Sequence, residues 1–256
     1  MRGIALVRRP SSRLADGIVT HIERSQVDLG LARRQHDGYR AALADHGWRV
    51  HEVPEADDCP DSVFIEDTVV VCAGTAVITR PGAPSRRPET HAVEATMREL
   101  GLTIVRIENP GTLDGGDVLQ IGQTVYVGLG GRTNADGIRQ LGDLLAPLGR
   151  ITVTVPVAKV LHLKSAITAL PDGSPITWSD LVDRSPFSGV REASEEPGAH
   201  VVPLGDADVL IAASAPRTAE LIAAWGYIPV VIDISEYERL EGCVTCLSVL
   251  IPASAL

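Results

Sequence analysis

No apolar run in this 256-residue chain approaches the ~20 residues that a membrane-spanning helix needs. The opening stretch, Met1 to Pro10, is too short in its apolar part to be the core of an export signal. The expected location is therefore the cytoplasm, with no membrane partner. Cysteine is scarce: Cys59, Cys72, Cys243 and Cys246 are too few for a disulfide scaffold at this length. In a reducing compartment, a conspicuous thiol is a candidate nucleophile instead. Positive charge is also in short supply, with 23 Lys and Arg against 33 Asp and Glu and a net charge of −10. That balance excludes nucleic acid as a partner, because phosphate binding needs a basic surface. It suits either solubility alone or the attraction of a cationic small molecule. A divider rich in Pro, Gly or Ser is missing too, so residues 1–256 read as a single domain.

What the chain does contain is a repeated unit. Helices are expected over Arg33–His46, Glu89–Leu100, Asn134–Leu148 and Arg217–Trp225, each stopped by a glycine (Gly47, Gly101, Gly149, Gly226). A strand follows each one: Trp48–Val53, Leu102–Ile107, Ile151–Val155 and Ile228–Ile232. Hairpin-like pairs lie between these units: Thr68–Cys72 with Ala76–Thr79, Val118–Ile121 with Thr124–Val127, Ile167–Leu170 with Pro175–Trp178, and Val201–Leu204 with Val209–Ala212. Leu247–Ile251 and Ile4–Arg8 have no neighbour in sequence and would pair if the termini meet. The segment 180–198, polar and rich in Pro and Gly, reads as an irregular surface excursion. Two strands, a helix and a strand cannot bury their own apolar face, so the copies must assemble. Five units around an axis, an α/β propeller closed by the two termini, is the simplest arrangement that uses every element.

The chemistry-bearing residues fall in a few segments. Cys246 stands in Gly242-Cys243-Val244-Thr245-Cys246-Leu247-Ser248. A thioredoxin-type redox pair opens a helix, whereas β-branched Val244, Thr245 and Val249 predict a strand here. A zinc site needs more ligands, and no second close pair of Cys or His exists. A buried inert thiol fits Cys243 better than Cys246, whose neighbours Thr245 and Ser248 are polar. The base that a thiol nucleophile requires is best supplied by His162 in Val160-Leu161-His162-Leu163-Lys164. At alternate positions of an apolar strand, His162 and Lys164 face one side, and that side must be polar. Asp114-Gly115-Gly116-Asp117 offers carboxylates to orient a histidine, beside glycines that permit close approach. Asp61, Glu66 and Asp67 precede a core strand. Acids there are costly unless a cation pairs with them, and a guanidinium fork does so well. Arg80, Arg86, Arg87 and Arg132 leave hairpins for Gly-containing loops, where an arginine can clamp a ligand carboxylate.

In combination and in order, these segments resemble the dimethylarginine dimethylaminohydrolase family of the guanidino-group-modifying (pentein) superfamily. The motifs are Pro60-Asp61-Ser62-Val63-Phe64-Ile65-Glu66-Asp67, Ile78-Thr79-Arg80-Pro81-Gly82-Ala83 with Ser85-Arg86-Arg87, Leu113-Asp114-Gly115-Gly116-Asp117, Val127-Gly128 with Arg132-Thr133-Asn134, Leu161-His162-Leu163-Lys164 and Thr245-Cys246-Leu247-Ser248. The likeness runs from near residue 4 to residue 251 and implies a five-bladed propeller. It implies Cys246 as nucleophile, His162 as acid and base, and Asp114 as the partner of His162. Glu66 and Asp67 would hold the guanidinium, Asp61 the α-ammonium, and Arg86 with Arg132 the α-carboxylate. Phe64 would line the pocket, and the carbonyls of Ile18, on a lid loop, and Leu240 would complete the ammonium site. The implied activity is hydrolysis of N-omega-methylated arginines to citrulline and an amine, with no cofactor and no metal. A deiminase of free arginine or agmatine is the nearest alternative, and Arg86 with Arg132 speaks against agmatine, which lacks a carboxylate. A non-catalytic propeller used as a binding scaffold is the alternative of another class. Assembly as a homodimer is left open.

Overall fold

A computed structural model describes residues 1–179 and 181–256. The chain opens with β1 (Gly3–Val7), α1 (Leu29–Asp45) and β2 (Trp48–Glu52). Three units follow in the order β3 (Val69–Cys72), β4 (Thr75–Ile78), α2 (Thr90–Glu99), β5 (Thr103–Arg106); then β6 (Val118–Ile121), β7 (Thr124–Leu129), α3 (Ala135–Leu145), β8 (Ile151–Pro156); then β9 (Ile167–Ala169), β10 (Pro175–Thr177), β11 (Arg191–Glu192). The last elements are β12 (Val201–Pro203), β13 (Asp208–Ala212), α4 (Pro216–Ala224), β14 (Ile228–Ile232), the short α5 (Ser235–Glu238) and β15 (Val249–Pro252).

These strands form five three-stranded sheets, among the described residues. In each, the first two strands are antiparallel and the second and third parallel, as in Val69↔Ile78 and Thr75↔Thr103. The fifth sheet is made by the termini: β15 pairs antiparallel with β1, Ile4 opposite Ile251, and β2 adds in parallel. Gly3 is needed at this closure, since a Cβ there would stand 2.0 Å from the Ile251 carbonyl oxygen. The five-bladed α/β propeller is the architecture expected from the repeat. Gly47, Gly101, Gly149 and Gly226 all have positive φ, the left-handed stop that the pattern predicted. The fourth blade differs, because among the described residues its last two strands have no α-helix between them; β11, two residues long, lies inside the expected excursion. Asp180, the first residue of that excursion, lies outside the described residues.

The core is divided into clusters between neighbouring blades rather than gathered in one mass. Ile4, Leu6, Ile65, Val69, Val93 and Met97 make one such cluster, and Val77, Leu113, Val127, Leu141 and Leu145 contribute to the next. The innermost strand of every blade (β3, β6, β9, β12, β15) lines an axial cavity of about 290 Å³. Among the described residues, no helix is long and apolar enough to cross a membrane.

Candidate active site

Four loops meet at one end of the axis. The acid-bearing segment is drawn in by fully buried Val63 and Ile65 and by buried Phe64, whose ring packs edge-on against Tyr237 at 6.3 Å. Glu66 and Asp67 follow on the 3-10 turn Ile65–Thr68. The turn Gly115–Asp117 packs against it so closely that a Cβ on Gly115 would stand 2.0 Å from the Glu66 carbonyl oxygen. A Cβ on Gly116 would sit 2.7 Å from His162 Nδ1 and 2.8 Å from Asp67 Oδ1. Only glycine lets these three segments share the space.

Two local expectations fail here. His162 precedes the 3-10 turn Leu163–Ser165 and is not on a strand. Cys246 lies in a turn, with its N–H on the Cys243 carbonyl at 3.1 Å, before β15 begins at Val249. The β-branched residues serve packing instead: Val244 is fully buried, and the Thr245 hydroxyl reaches Glu66. His162 and Lys164 nevertheless both point into polar surroundings, as their spacing suggested.

His162 is 3% exposed, and its Nε2 lies 3.0 Å from Asp114 Oδ2 and 3.9 Å from Asp67 Oδ1. Burial alone would lower its pKa. The Asp67 charge, the Asp114 hydrogen bond and Asp117 outweigh burial and raise the pKa to about 9, so the imidazole is protonated at neutral pH. Asp114 is held in turn by the Gly82 N–H at 2.8 Å. Asp67 accepts from Arg86 Nη1 at 2.6 Å and from the Gly116 N–H at 2.8 Å. Despite its burial, His162 and Arg86 keep its carboxyl well below the usual range.

Arg86 is buried and heavily committed. Nε and Nη2 grip Glu89 at 3.1 and 2.9 Å, Nη1 serves Asp67, and Nη2 also reaches the Phe64 carbonyl at 3.1 Å. Of its five N–H donors, little is left for a ligand. Arg132 is freer, with a 3.8 Å approach to Asp114 Oδ2. Asp61 accepts from the Ile18 N–H at 3.0 Å, and burial raises its pKa.

Glu66 faces differently. Lys164 Nζ lies 2.6 Å from Oε1, and the Thr245 hydroxyl donates to Oε2 at 3.0 Å. Burial nonetheless raises its pKa to about 7. The Cys246 carbonyl accepts from the Glu66 N–H at 3.2 Å, which ties the two segments together. The Cys243 contact, burial and the Glu66 and Asp67 carboxylates all disfavour a thiolate on Cys246.

A small cavity, about 20 Å³, is bordered by Ile18, Asp61, Phe64, Asp67, Arg86, Arg132, His162, Leu240 and Cys246, with Asp114 behind His162. The residues that the resemblance assigned thus converge, except Glu66, which borders the axial cavity beneath, while Arg80 and Arg87, also offered as clamps, line a different cavity. Four further residues contribute: Asp117 and Lys164, which the sequence marks as an orienting carboxylate and a residue on a polar side, and Glu89 and Glu241, which it does not mark. Lys164 holds Glu66 and Glu89 holds Arg86. Asp117 fixes the histidine turn by accepting from the Leu163 N–H at 2.9 Å and the Thr133 hydroxyl at 2.6 Å. Glu241, at φ 61°, accepts from the N–H groups of Thr20, His21 and Ile22 and so pins the segment after Ile18. Its positive φ is a structural signal that sequence does not carry. Asp67, Asp114 and His162 place donor atoms within 4.8 Å of one another, as a metal site would. The imidazolium and Arg86 already balance the charge of that cluster.

A family model described as arginine deiminase matches residues 51–168. The chain is 61% identical to the N(G),N(G)-dimethylarginine dimethylaminohydrolase of Streptomyces coelicolor over 246 residues, 96% of this chain and 95% of that relative. The chain belongs to the dimethylarginine dimethylaminohydrolase family. The Pseudomonas aeruginosa dimethylarginine dimethylaminohydrolase is 36% identical, over 95% of this chain and 97% of its own. A structure of a cysteine-to-serine variant of that Pseudomonas protein, in complex with citrulline, superposes with a TM-score of 0.92 at 35% identity, covering 98% and 100% of the two chains.

Proposed function

We propose that this protein hydrolyses asymmetric dimethylarginine and monomethylarginine to citrulline and dimethylamine or methylamine, through a covalent thiouronium on Cys246. The reading rests on one observation above others: in a member of this family, a thiol, an imidazolium, two arginines and the acids Asp61 and Asp67 border a single small cavity, with Glu241 at its edge. A free amino acid with a guanidinium end carries the charges that match them. Asp61 takes the ammonium, Arg132 with the remaining capacity of Arg86 takes the carboxylate, and Asp67 takes the guanidinium, with Glu66 supplying negative charge below it. Phe64, Ile18 and Leu240 close the sides. A cavity of about 20 Å³ does not admit an amino acid, so the segment of Ile18 opens for passage.

Before substrate enters, the Cys243 contact, burial and the Glu66 and Asp67 carboxylates keep the Cys246 thiol neutral. A cationic guanidinium reverses the local charge and favours the thiolate. Because His162 is already protonated, the thiol proton leaves to solvent as the cationic substrate binds. The thiolate attacks the guanidinium carbon, and His162 gives its proton to the departing amine. Now neutral, the imidazole takes a proton from water, which attacks the thiouronium and releases citrulline and the thiolate. Asp114 and Asp67 stabilise the charged imidazole in both half-reactions. No step calls for a metal or cofactor.

We also infer a cytoplasmic setting, where four free thiols stay reduced, with residues 1–256 as one catalytic domain. Neither nucleic acid nor membrane enters the chemistry, and a homodimer is compatible with it but not required. The test is turnover of asymmetric dimethylarginine against symmetric dimethylarginine, arginine and agmatine. The expected order places asymmetric dimethylarginine first. The symmetric isomer should be slower by about ten- to hundredfold, because a methyl on each terminal nitrogen leaves a buried acid short of a donor. Equal kcat/KM for the two isomers contradicts this picture, and preference for arginine makes the enzyme a deiminase.

A further inference from the structure

The mechanism leaves one thiol unused. Cys243 is buried, and its Sγ stands 3.3 Å from Sγ of Cys246, with neither sulfur in a disulfide. The two residues are the first and fourth of a turn closed by the Cys246 N–H on the Cys243 carbonyl at 3.1 Å. Such residues have Cα atoms within ~7 Å, which overlaps the ~4.4–6.8 Å that a disulfide spans. An S–S bond is ~2.05 Å long, so closure asks the sulfurs to approach by about 1.3 Å, a change that side-chain torsions can supply. The two residues also border different cavities. Cys246 borders the small site, whereas Cys243 borders a separate cavity of about 490 Å³ with Ile22, Leu161, His200 and Glu238.

We propose that Cys243 is a resolving thiol: when a hydroperoxide oxidises Cys246, Cys243 captures it as a Cys243–Cys246 disulfide, a reversibly inactive store of the protein. In the first step the Cys246 sulfur attacks the peroxide, forming S–O and breaking O–O, while the thiol proton passes to the departing oxygen. The sulfur is oxidised by two electrons, and the peroxide leaves as an alcohol, or as water when it is hydrogen peroxide. In the second, the Cys243 sulfur attacks the sulfenic sulfur, forming S–S and breaking S–O. The oxygen leaves as water, carrying the Cys243 proton. A dithiol reductant returns both thiols. Without Cys243, a sulfenic acid at Cys246 is open to further oxidation to the sulfinic acid, from which thiols do not recover it. The loss of activity, though not the disulfide, rests on the reading of Cys246 as nucleophile.

The experiment treats wild type and Cys243→Ser with hydrogen peroxide, alkylates the unfolded protein and maps the peptide that contains residues 243 and 246. Turnover is assayed before peroxide, after it, and after dithiothreitol. Wild type should lose two hydrogens on that peptide and resist alkylation there. Its activity should fall by about tenfold or more and return with dithiothreitol. Cys243→Ser should gain two or more oxygens at Cys246, as the sulfinic or sulfonic acid, and stay inactive after dithiothreitol. Wild-type mapping reads the disulfide even if the variant folds poorly. Peroxide-treated wild type with oxygen on Cys246 and an alkylated Cys243 overturns the proposal, as does equal recovery of the two proteins or a disulfide that leaves turnover intact. Cys246→Ala assayed without peroxide reads the nucleophile assignment separately.

Discussion

Asp67 and Glu66 are consecutive residues on one 3-10 turn, yet their carboxylates live in opposite surroundings. Asp67 is closed in by Arg86 and the charged His162 and is held ionised, well below the usual range. Glu66 leans on Lys164 and the Thr245 hydroxyl, and burial lifts it to about 7. The difference teaches that burial alone does not decide a charge state. The Asp67 side is a permanent ion network around a charged His162, whereas the Glu66 side titrates near neutrality, with burial raising its pKa and Lys164 lowering it.

Removing the acid of the first side gives the largest effect. His162→Ala should lower kcat by about 10²–10⁴-fold, because both the amine and the water need its proton traffic. A variant that keeps a tenth of the rate breaks the assignment. Next comes the far end of the substrate. Arg132→Ala should raise KM by about ten- to hundredfold with a smaller change in kcat, since a charged hydrogen bond is lost where nothing reacts. A drop confined to kcat moves Arg132 into the chemistry instead. The last effect, from the second side, is a shift of pH dependence and not a loss of maximal rate. Lys164 lowers the Glu66 pKa, so Lys164→Met should raise it further. The reaction needs Glu66 ionised, and ionised Glu66 is lost as pH falls through its pKa. The acid limb of kcat/KM should therefore move to higher pH while the alkaline limb stays. An acid limb that does not move assigns that limb to another group.

The ring was legible because its signals are local. Glycine stops, turn residues and apolar runs recur in each unit, and closure through β1 and β15 follows once two strands are left over. That Cys246, His162 and Asp114 would come together was legible through motif and order. Their backbone was not, because Val244 and Thr245 have strand preference but are used for packing and for holding Glu66 within a turn. Lys164 and Glu66 are 98 residues apart and Glu241 lies 221 from Thr20, so no local pattern marks those contacts. The committed state of Arg86 was hidden for a related reason. Glu89 is only three residues away, but what makes the pair matter is the burial of both.

The central claim is that Cys246 carries the substrate as a thiouronium. Mixing the protein with asymmetric dimethylarginine, quenching in acid during turnover and mapping the peptides by mass measures this directly. The account predicts an adduct equal to the substrate less dimethylamine on Cys246, accumulating more in His162→Ala if amine loss still proceeds and absent in Cys246→Ser. Steady turnover with an adduct on Cys243, or with Cys246→Ser fully active, contradicts it.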